Sequence, residues 1–86
     1  MKLGGKLKIG TTTIKSAVVE VDGKGQSFRD TLEECLINLC KELDIPVPLW
    51  LKKNTSELGA FRKTFFSNEQ FIEKIPFDRF EISIEQ

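Results

Sequence analysis

The sequence predicts a small α+β domain in which a mostly antiparallel sheet of three strands carries one long helix on one face. Runs with the two-residue alternation of strands occur near both ends of the chain, and a strongly amphipathic helical segment follows the first of them. The predicted order of elements is β-β-α-α-α-β. We expect residues 1–86 to form a single domain, small enough to need most of its large apolar side chains for folding.

Two strands are predicted within the first 21 residues. Residues 6–9 alternate polar and apolar side chains, and residues 14–21 form a run rich in β-branched residues. Gly10 and the threonines after it could turn the chain between the two runs and make a hairpin. A single long strand with a bulge at Gly10 is the competing interpretation, and the sequence leaves both open.

Residues 28–43 are predicted to form the long helix. Ser27 can cap its N-terminus, because a serine hydroxyl accepts a hydrogen bond from the backbone N–H three residues later, here that of Asp30. At about 100° per residue, six apolar side chains fall on one arc of this helix. They are Phe28, Leu32, Cys35, Leu36, Leu39 and Leu43. This arc predicts the face that packs on the sheet.

A second helix is predicted after the prolines at positions 46 and 48, which force the chain out of the first one. Asn54 or Thr55 could serve as the N-terminal cap of this second helix. Its predicted end is at about Phe66.

Two shorter elements complete the predicted order. Ser67 with Gln70 three positions later repeats the capping pattern and predicts a short helix over residues 68–74. Residues 80–84 alternate apolar and polar side chains and predict a half-buried strand. That strand needs partners, and the N-terminal strands can supply them.

Composition excludes several classes of protein. Lysine and arginine number 13, as do aspartate and glutamate, so the net charge is zero. This disfavours a protein whose main role is to coat nucleic acid, since nonspecific affinity comes from neutralising phosphates. No run of about 18 apolar residues is present, and the first ten residues lack the apolar stretch of a secretory signal. We therefore expect a soluble cytoplasmic protein without a membrane partner.

The sequence contains no catalytic or metal-binding pattern. Histidine, the commonest general base and metal ligand, is absent. Cys35 and Cys40 lie five residues apart, about 140° around the predicted helix, so we expect small apolar fillers in a reducing compartment. The adjacent Glu33 and Glu34 are interpreted as surface charge. We expect no catalytic residue, no metal, no cofactor and no enzymatic activity.

One segment interleaves aromatic and basic residues. It reads PVPLWLKKNTSELGAFRKTFF, and seven of the chain's eight aromatic residues lie between Trp50 and Phe80. Aromatic and cationic side chains together can build a core, a protein interface or a nucleic-acid surface. The candidate partner-binding residues are Trp50, Lys52, Lys53, Arg62, Lys63 and Phe66.

Arg62 and Trp50 each have two interpretations. On a helical wheel Arg62 falls inside an apolar arc shared with Phe61 and Phe65, and both phenylalanines are expected in the core. The stem of Arg62 could cover that arc, or its guanidinium could be presented to a carboxylate or phosphate of a partner. Trp50 could lie in the core or, if it is exposed beside Lys52, stack on a base or a peptide.

These observations favour a small non-catalytic protein-interaction module, acting either on another protein or on itself as a homodimer. The supporting pattern is an arginine flanked by aromatic side chains, which is typical of interface hot spots. The alternative is a nucleic-acid-binding protein that uses the basic and aromatic residues 50–66. The zero net charge and the acidic helix at residues 28–43 place the first hypothesis ahead.

Three segments carry a resemblance. PLWLKKNT, FRKTFF and FDRFEI, which fall within residues 46–82, resemble segments of a group of small uncharacterised bacterial proteins. The resemblance implies a single intracellular domain. No activity is known for that group, and the resemblance carries over no functional residue.

Overall fold

The structure, a computed structural model, describes residues 1–85, so Gln86 of the predicted domain lies outside the described residues. Four strands and two α-helices form along this part of the chain. In chain order they are β1 (Lys2–Ile9), β2 (Thr12–Glu20), α1 (Phe28–Leu43), α2 (Lys52–Phe61), β3 (Lys63–Ser67) and β4 (Arg79–Ile84). A single 3-10 turn, Asn68–Gln70, follows β3 directly. Neither α-helix of residues 1–85 is long and apolar enough to cross a membrane.

The first two strands form the hairpin rather than one long strand. β1 and β2 pair antiparallel with Leu3 opposite Val19, and the register shifts between Leu7 and Lys8. Gly10 makes the turn with φ at +60°, a conformation that glycine adopts without steric cost. The hairpin therefore brings the β-branched run beside the N-terminal strand.

The predicted helix over residues 28–43 is present as α1. The Ser27 hydroxyl accepts a hydrogen bond from the backbone N–H of Asp30 at 3.1 Å, as its capping role requires. The helix ends where Asp44 takes a left-handed conformation with φ of 58°. Most of the predicted arc is buried, but Phe28, the first residue of the helix, is exposed.

The sheet has four antiparallel strands in the order β2-β1-β4-β3. This finding makes the predicted three-stranded sheet with three helices wrong. β4 lies at the centre, with Phe80 opposite Leu7 of β1 on one side and opposite Phe66 of β3 on the other. The chain thus returns to the middle of the sheet at its C-terminal end.

Residues 54–66 are not one helix, which corrects the second prediction. α2 ends at Phe61, because Arg62 takes a left-handed conformation with φ of 60° and donates its backbone N–H to the carbonyl of Leu58. Thr64 and Phe66 then turn toward the core from β3. Pairing with a strand that is distant in sequence overrides the local helical pattern here.

The predicted helix over residues 68–74 is reduced to the 3-10 turn. The expected capping pattern is present, since the side chain of Gln70 accepts the backbone N–H of Ser67 at 3.1 Å. The chain nevertheless leaves the turn at Phe71, whose backbone is extended. Phe71 is buried and meets Phe77 edge to face at 5.4 Å between ring centroids, so core packing of these rings replaces further helical turns.

The core lies between α1 and one face of the sheet. Its buried members come from every strand except β2 and from α1 and the loops around β3 and β4. They include Leu3, Leu7, Cys35, Leu36, Leu39, Leu43, Phe66, Phe71, Phe77, Phe80 and Ile82. Gly5 permits close approach of the helix, because a Cβ there would lie 2.7 Å from Cδ2 of Leu39 and 2.8 Å from Cε1 of Phe80.

We predict that Gly5→Ala lowers the free energy of unfolding by about 1–3 kcal/mol, the range typical of overpacked cores. Gly59→Ala is the matched control, since Gly59 lies within α2 with open space around its Cα. Alanine favours a helix, so the control should gain up to about 1 kcal/mol. Urea denaturation measures both, and a Gly5→Ala protein as stable as the wild type would contradict this account of helix–sheet contact.

Candidate binding surface on the sheet

The sheet has one face that no helix covers. Side chains alternate along strands, so the residues between those that face α1 point to the opposite side, here called the open face. By strand register it comprises Gly4, Lys6, Ser16, Val18, Lys63, Phe65, Arg79, Glu81 and Ser83. A groove of about 670 Å³ lies on this face. Glu57 and Phe61 of α2 and Glu85 add to its lining.

The apolar side chains of the groove lie toward its two sides. Between them, the central strands contribute Gly4, Lys6, Glu81 and Ser83, and the Glu85 carboxylate lies over Gly4, 2.6 Å from where a Cβ would stand. Val18 on the β2 side is 56% exposed, and Phe61 at the end of α2 is 67% exposed. The prediction that Phe61 lies in the core is therefore wrong. The helix wheel failed there because α2 ends at that residue.

Phe65 lies on the groove between two cations. The Nζ atom of Lys53 is 4.0 Å from the centroid of its ring, and the Cζ atom of Arg79 is 4.6 Å from it. Lys53 also donates to the Phe65 carbonyl at 3.3 Å. The ring is half-buried on the open face, not in the predicted core. Cation–π attraction to both side chains favours this orientation of the ring.

Arg79 is itself fixed by Glu81. Its Nε and Nη2 atoms donate to Oε2 of Glu81 at 3.0 and 2.6 Å, and Lys8 lies 3.7 Å from the other carboxylate oxygen. Partial burial acts to raise the pKa of Glu81, but the hydrogen bond from Arg79 and the positive charges of Lys8 and Arg79 outweigh it. The pKa of Glu81 is therefore below its ordinary value, and the carboxylate stays charged.

The remaining charges along the groove are mixed. Lys6 and Lys63 add two cations, while Glu57 and Glu85 add two carboxylates. The hydroxyl of Thr64 donates to Glu57 at 2.6 Å, and the hydroxyl of Ser83 donates to Glu85 at 2.8 Å. The groove thus presents apolar side chains at its two sides, with both signs of charge between and around them.

The four basic candidates from the sequence do not form one patch. Lys52 and Arg62 are exposed and stand ten residues apart across α2, about 15 Å along its axis. Lys63 lines the groove, and Lys53 contacts Phe65. The predicted place of Arg62 in an apolar arc is wrong, because its backbone has already left the helix.

The two aromatic candidates lie on the core side of β3. Phe66 is fully buried and contacts Phe80, so it supports the core rather than a surface. Trp50 is 36% exposed and packs on Phe66 with 5.7 Å between ring centroids. Its indole N–H donates to the Thr55 hydroxyl at 2.8 Å. The Trp50 side chain is therefore partly packed on the core and partly accessible, and it does not line the groove.

Asn54 joins α2 to β3 through a buried hydrogen-bond network, a role that the sequence did not predict. Its side chain is fully buried, and the amide nitrogen donates to the Thr64 hydroxyl at 2.8 Å and to the Phe65 carbonyl at 2.9 Å. Its amide oxygen accepts the backbone N–H of Leu51 and the side chain of Gln70, both at 2.9 Å. Instead of capping α2 from outside, Asn54 lies in its first turn and ties it to β3.

We predict that Asn54→Ala lowers the free energy of unfolding by about 2–4 kcal/mol, because the Leu51 N–H and one Gln70 N–H lose their buried acceptor. Asn68→Ala is the control, since Asn68 is exposed and should change stability by no more than about 0.5 kcal/mol. Chemical denaturation compares them. Equal stabilities of the two variants would show that the Asn54 network contributes little.

The two cysteines are free, buried thiols. Burial raises the pKa of the Cys40 thiol to about 12. Burial also raises the pKa of the Cys35 thiol, although the positive charge of the N-terminal ammonium acts to lower it. Among the described residues, no group of three or more His, Cys, Asp or Glu side chains is arranged to hold a metal ion.

We predict that Cys40 resists thiol reagents in the folded protein, because the thiolate is the reactive form and burial disfavours it. In a Cys35→Ala background at pH 8, alkylation should be at least about tenfold slower than in the same protein unfolded by denaturant. The measurement is the rate of mass increase. Equal rates in the two states would contradict the buried position of this side chain.

No protein-family model, curated protein or solved structure matches the chain in comparisons with known proteins. The resemblance of its three segments to small bacterial proteins stays a prediction. The function is therefore argued from the groove and the contacts that build it.

Proposed function

We propose that this protein is a small, non-catalytic, cytoplasmic module that binds a protein partner through the groove on the open face. The observation that carries the proposal is the set of Phe61, Phe65 and Val18 around a groove of about 670 Å³. Apolar and aromatic side chains that stay exposed among charged ones are typical of protein-binding sites.

The fixed position of Phe65 supports a binding role. Lys53 and Arg79 hold its ring, and Glu81 holds Arg79. An aromatic side chain that is already ordered loses little conformational entropy when a partner packs on it. Aromatic and arginine side chains are also the residues that most often dominate binding energy in interfaces.

The charges around the groove support a polypeptide over a nucleic acid as the partner. Glu57, Glu81 and Glu85 line the groove and would repel phosphates. A peptide segment can place apolar side chains against Phe61 and Phe65 and still match both signs of charge along the groove. The separation of Lys52 from Arg62 also removes the continuous basic stripe that nucleic-acid binding would use.

The free thiols support the proposed compartment. Cys35 and Cys40 are unpaired, as cysteines are in reducing surroundings such as the cytoplasm. Both are buried fillers of α1, which is the role that the sequence predicted for them.

We predict that peptides selected from a random library on the immobilised protein bind at least about tenfold more weakly to Phe61→Ser and to Phe65→Ala. Each change removes an apolar contact of the groove, and tenfold corresponds to about 1.4 kcal/mol of binding free energy. Fluorescence anisotropy of the labelled peptides gives the dissociation constants. Phe61 is largely exposed, so its loss should leave the fold intact, which circular dichroism checks.

Ile72→Ser is the matched control, because Ile72 is a large apolar residue that is 88% exposed and does not line the groove. It should bind the selected peptides as the wild type does. Selection of no peptide above background, or equal loss in the control, would overturn the proposal. Binding of single-stranded DNA or RNA that weakens steeply with salt would favour the nucleic-acid alternative instead.

A further inference from the structure

The outer edge of β2 presents backbone groups that no neighbour uses within the described residues. Met1 and Val21 exchange both backbone hydrogen bonds, at 2.6 and 2.8 Å. In an antiparallel pair, the N–H and C=O groups of alternate residues point toward the partner strand, so this bonded pair shows which residues of β2 face β1. In this alternation the odd-numbered residues from Lys15 to Val21 bond to β1. Ser16, Val18 and Glu20 therefore point their N–H and C=O groups away from the sheet.

The opposite edge of the sheet, at β3, is partly blocked by side chains. The carbonyl of Phe65 points outward and accepts from the side chains of Asn54 at 2.9 Å and Lys53 at 3.3 Å. The outward N–H of Ser67 donates to the side chain of Gln70 at 3.1 Å. Side chains thus occupy two of the outward groups through which another strand would pair with β3, the Phe65 carbonyl and the Ser67 N–H.

β2 lacks the features that usually protect an edge strand. It is nine residues long, exposed over most of its length and without proline. Its one inward-pointing charge, Lys15, is directed under the sheet, where its ammonium donates to the Leu43 carbonyl at the end of α1. The register shift beside Lys8 twists only the far end of the strand. Residues 16–20 remain a regular strand that is available for pairing.

We propose that β2 pairs antiparallel with β2 of a second copy of this chain, about a two-fold axis at Val18, to form a continuous sheet of eight strands. In this register Val18 lies opposite its own counterpart, and Ser16 lies opposite Glu20 of the other copy. The outward groups of Ser16, Val18 and Glu20 then bond to one another across the axis. Ser16 and Val18 also line the groove, so this edge adjoins it. The inference concerns self-association and goes beyond the proposed function.

The chemistry of the edge fits a second copy of the same strand. The two-fold axis places a serine hydroxyl, which can donate, beside a glutamate carboxylate on both sides, and it opposes no like charges. Valine against valine is a favourable β-branched pair at the centre. Since side chains block part of the β3 edge, pairing at β2 alone is favoured, and the assembly then ends at a dimer instead of growing into a fibre.

The first test is the mass of the protein in solution. Light scattering after gel filtration, over concentrations up to the millimolar range, should show a mass approaching twice the 9.8 kDa of the chain. Ser16→Pro removes an outward N–H without removing a bond to β1, so it should weaken self-association at least about tenfold with the fold retained. Ser16→Ala is the matched control, which keeps the N–H and should remain a dimer.

The second test asks whether Val18 faces its own counterpart. Val18→Lys and Val18→Glu are both tolerable in the monomer, because the side chain is exposed. Each variant alone should be monomeric, since like charges meet at the axis. An equal mixture of the two should form a heterodimer, because lysine then meets glutamate. Native mass spectrometry distinguishes the heterodimer from either homodimer.

Three results would overturn the inference. They are a strictly monomeric wild type at the highest concentration, a folded Ser16→Pro variant that dimerises as well as Ser16→Ala, and a mixture of the two Val18 variants with no heterodimer. The last test does not depend on proline, so it decides the inference even if Ser16→Pro fails to fold. Self-association is measured without peptide, and the Phe61 and Phe65 variants leave β2 unchanged, so failure of one proposal can be told from failure of the other.

Discussion

The buried amide of Asn54 is the constraint on which one side of the molecule depends. It joins the first turn of α2 to Thr64 and Phe65 of β3 and to Gln70 behind them, and all its donors and acceptors are used. A fully satisfied buried network favours one arrangement of its backbone, because any shift leaves a polar group unpaired in the interior. The position of β3 at the edge of the sheet follows from this network as much as from its pairing with β4.

This constraint also builds the groove. Asn54 fixes the Phe65 carbonyl, so the Phe65 ring is held on the open face where Lys53 and Arg79 reach it. The same hydrogen-bonded chain runs through the Thr64 hydroxyl to Glu57, a carboxylate of the groove rim. Core polar contacts thus set the positions of both an aromatic and a charged group on the surface. Lys53, one of the candidate partner-binding residues, bonds to the Phe65 carbonyl at the β3 edge and also contacts the Phe65 ring beside the groove.

Local periodicity predicted the elements that local interactions determine. The capping hydroxyl of Ser27 and the apolar arc of α1 lie within one helix, and residues 80–84 alternate as β4 does. β3 was missed because Leu58, Phe61 and Phe65 mimic helical spacing, while the partner that makes residues 63–67 a strand lies in β4. Of the candidate site, Lys53 and Lys63 could be named from the sequence, since the segment that carries them is continuous. Gly4, Val18 and Arg79 could not, because only the sheet register brings them beside Phe65.

The two sheet edges differ in how many of their backbone groups receive hydrogen bonds from side chains. Asn54, Lys53 and Gln70 all bond to the backbone near β3, and the exposed strand β2 receives no comparable side chain within the described residues. Lys15 is the only lysine of β2, and its ammonium donates to the Leu43 carbonyl instead of lying along the outer edge of the strand. An edge strand left with regular outward groups is normally a hazard for aggregation, and natural proteins rarely leave one uncovered. The proposed pairing with a second copy would remove that hazard, and the partly blocked β3 edge would favour an assembly of two chains.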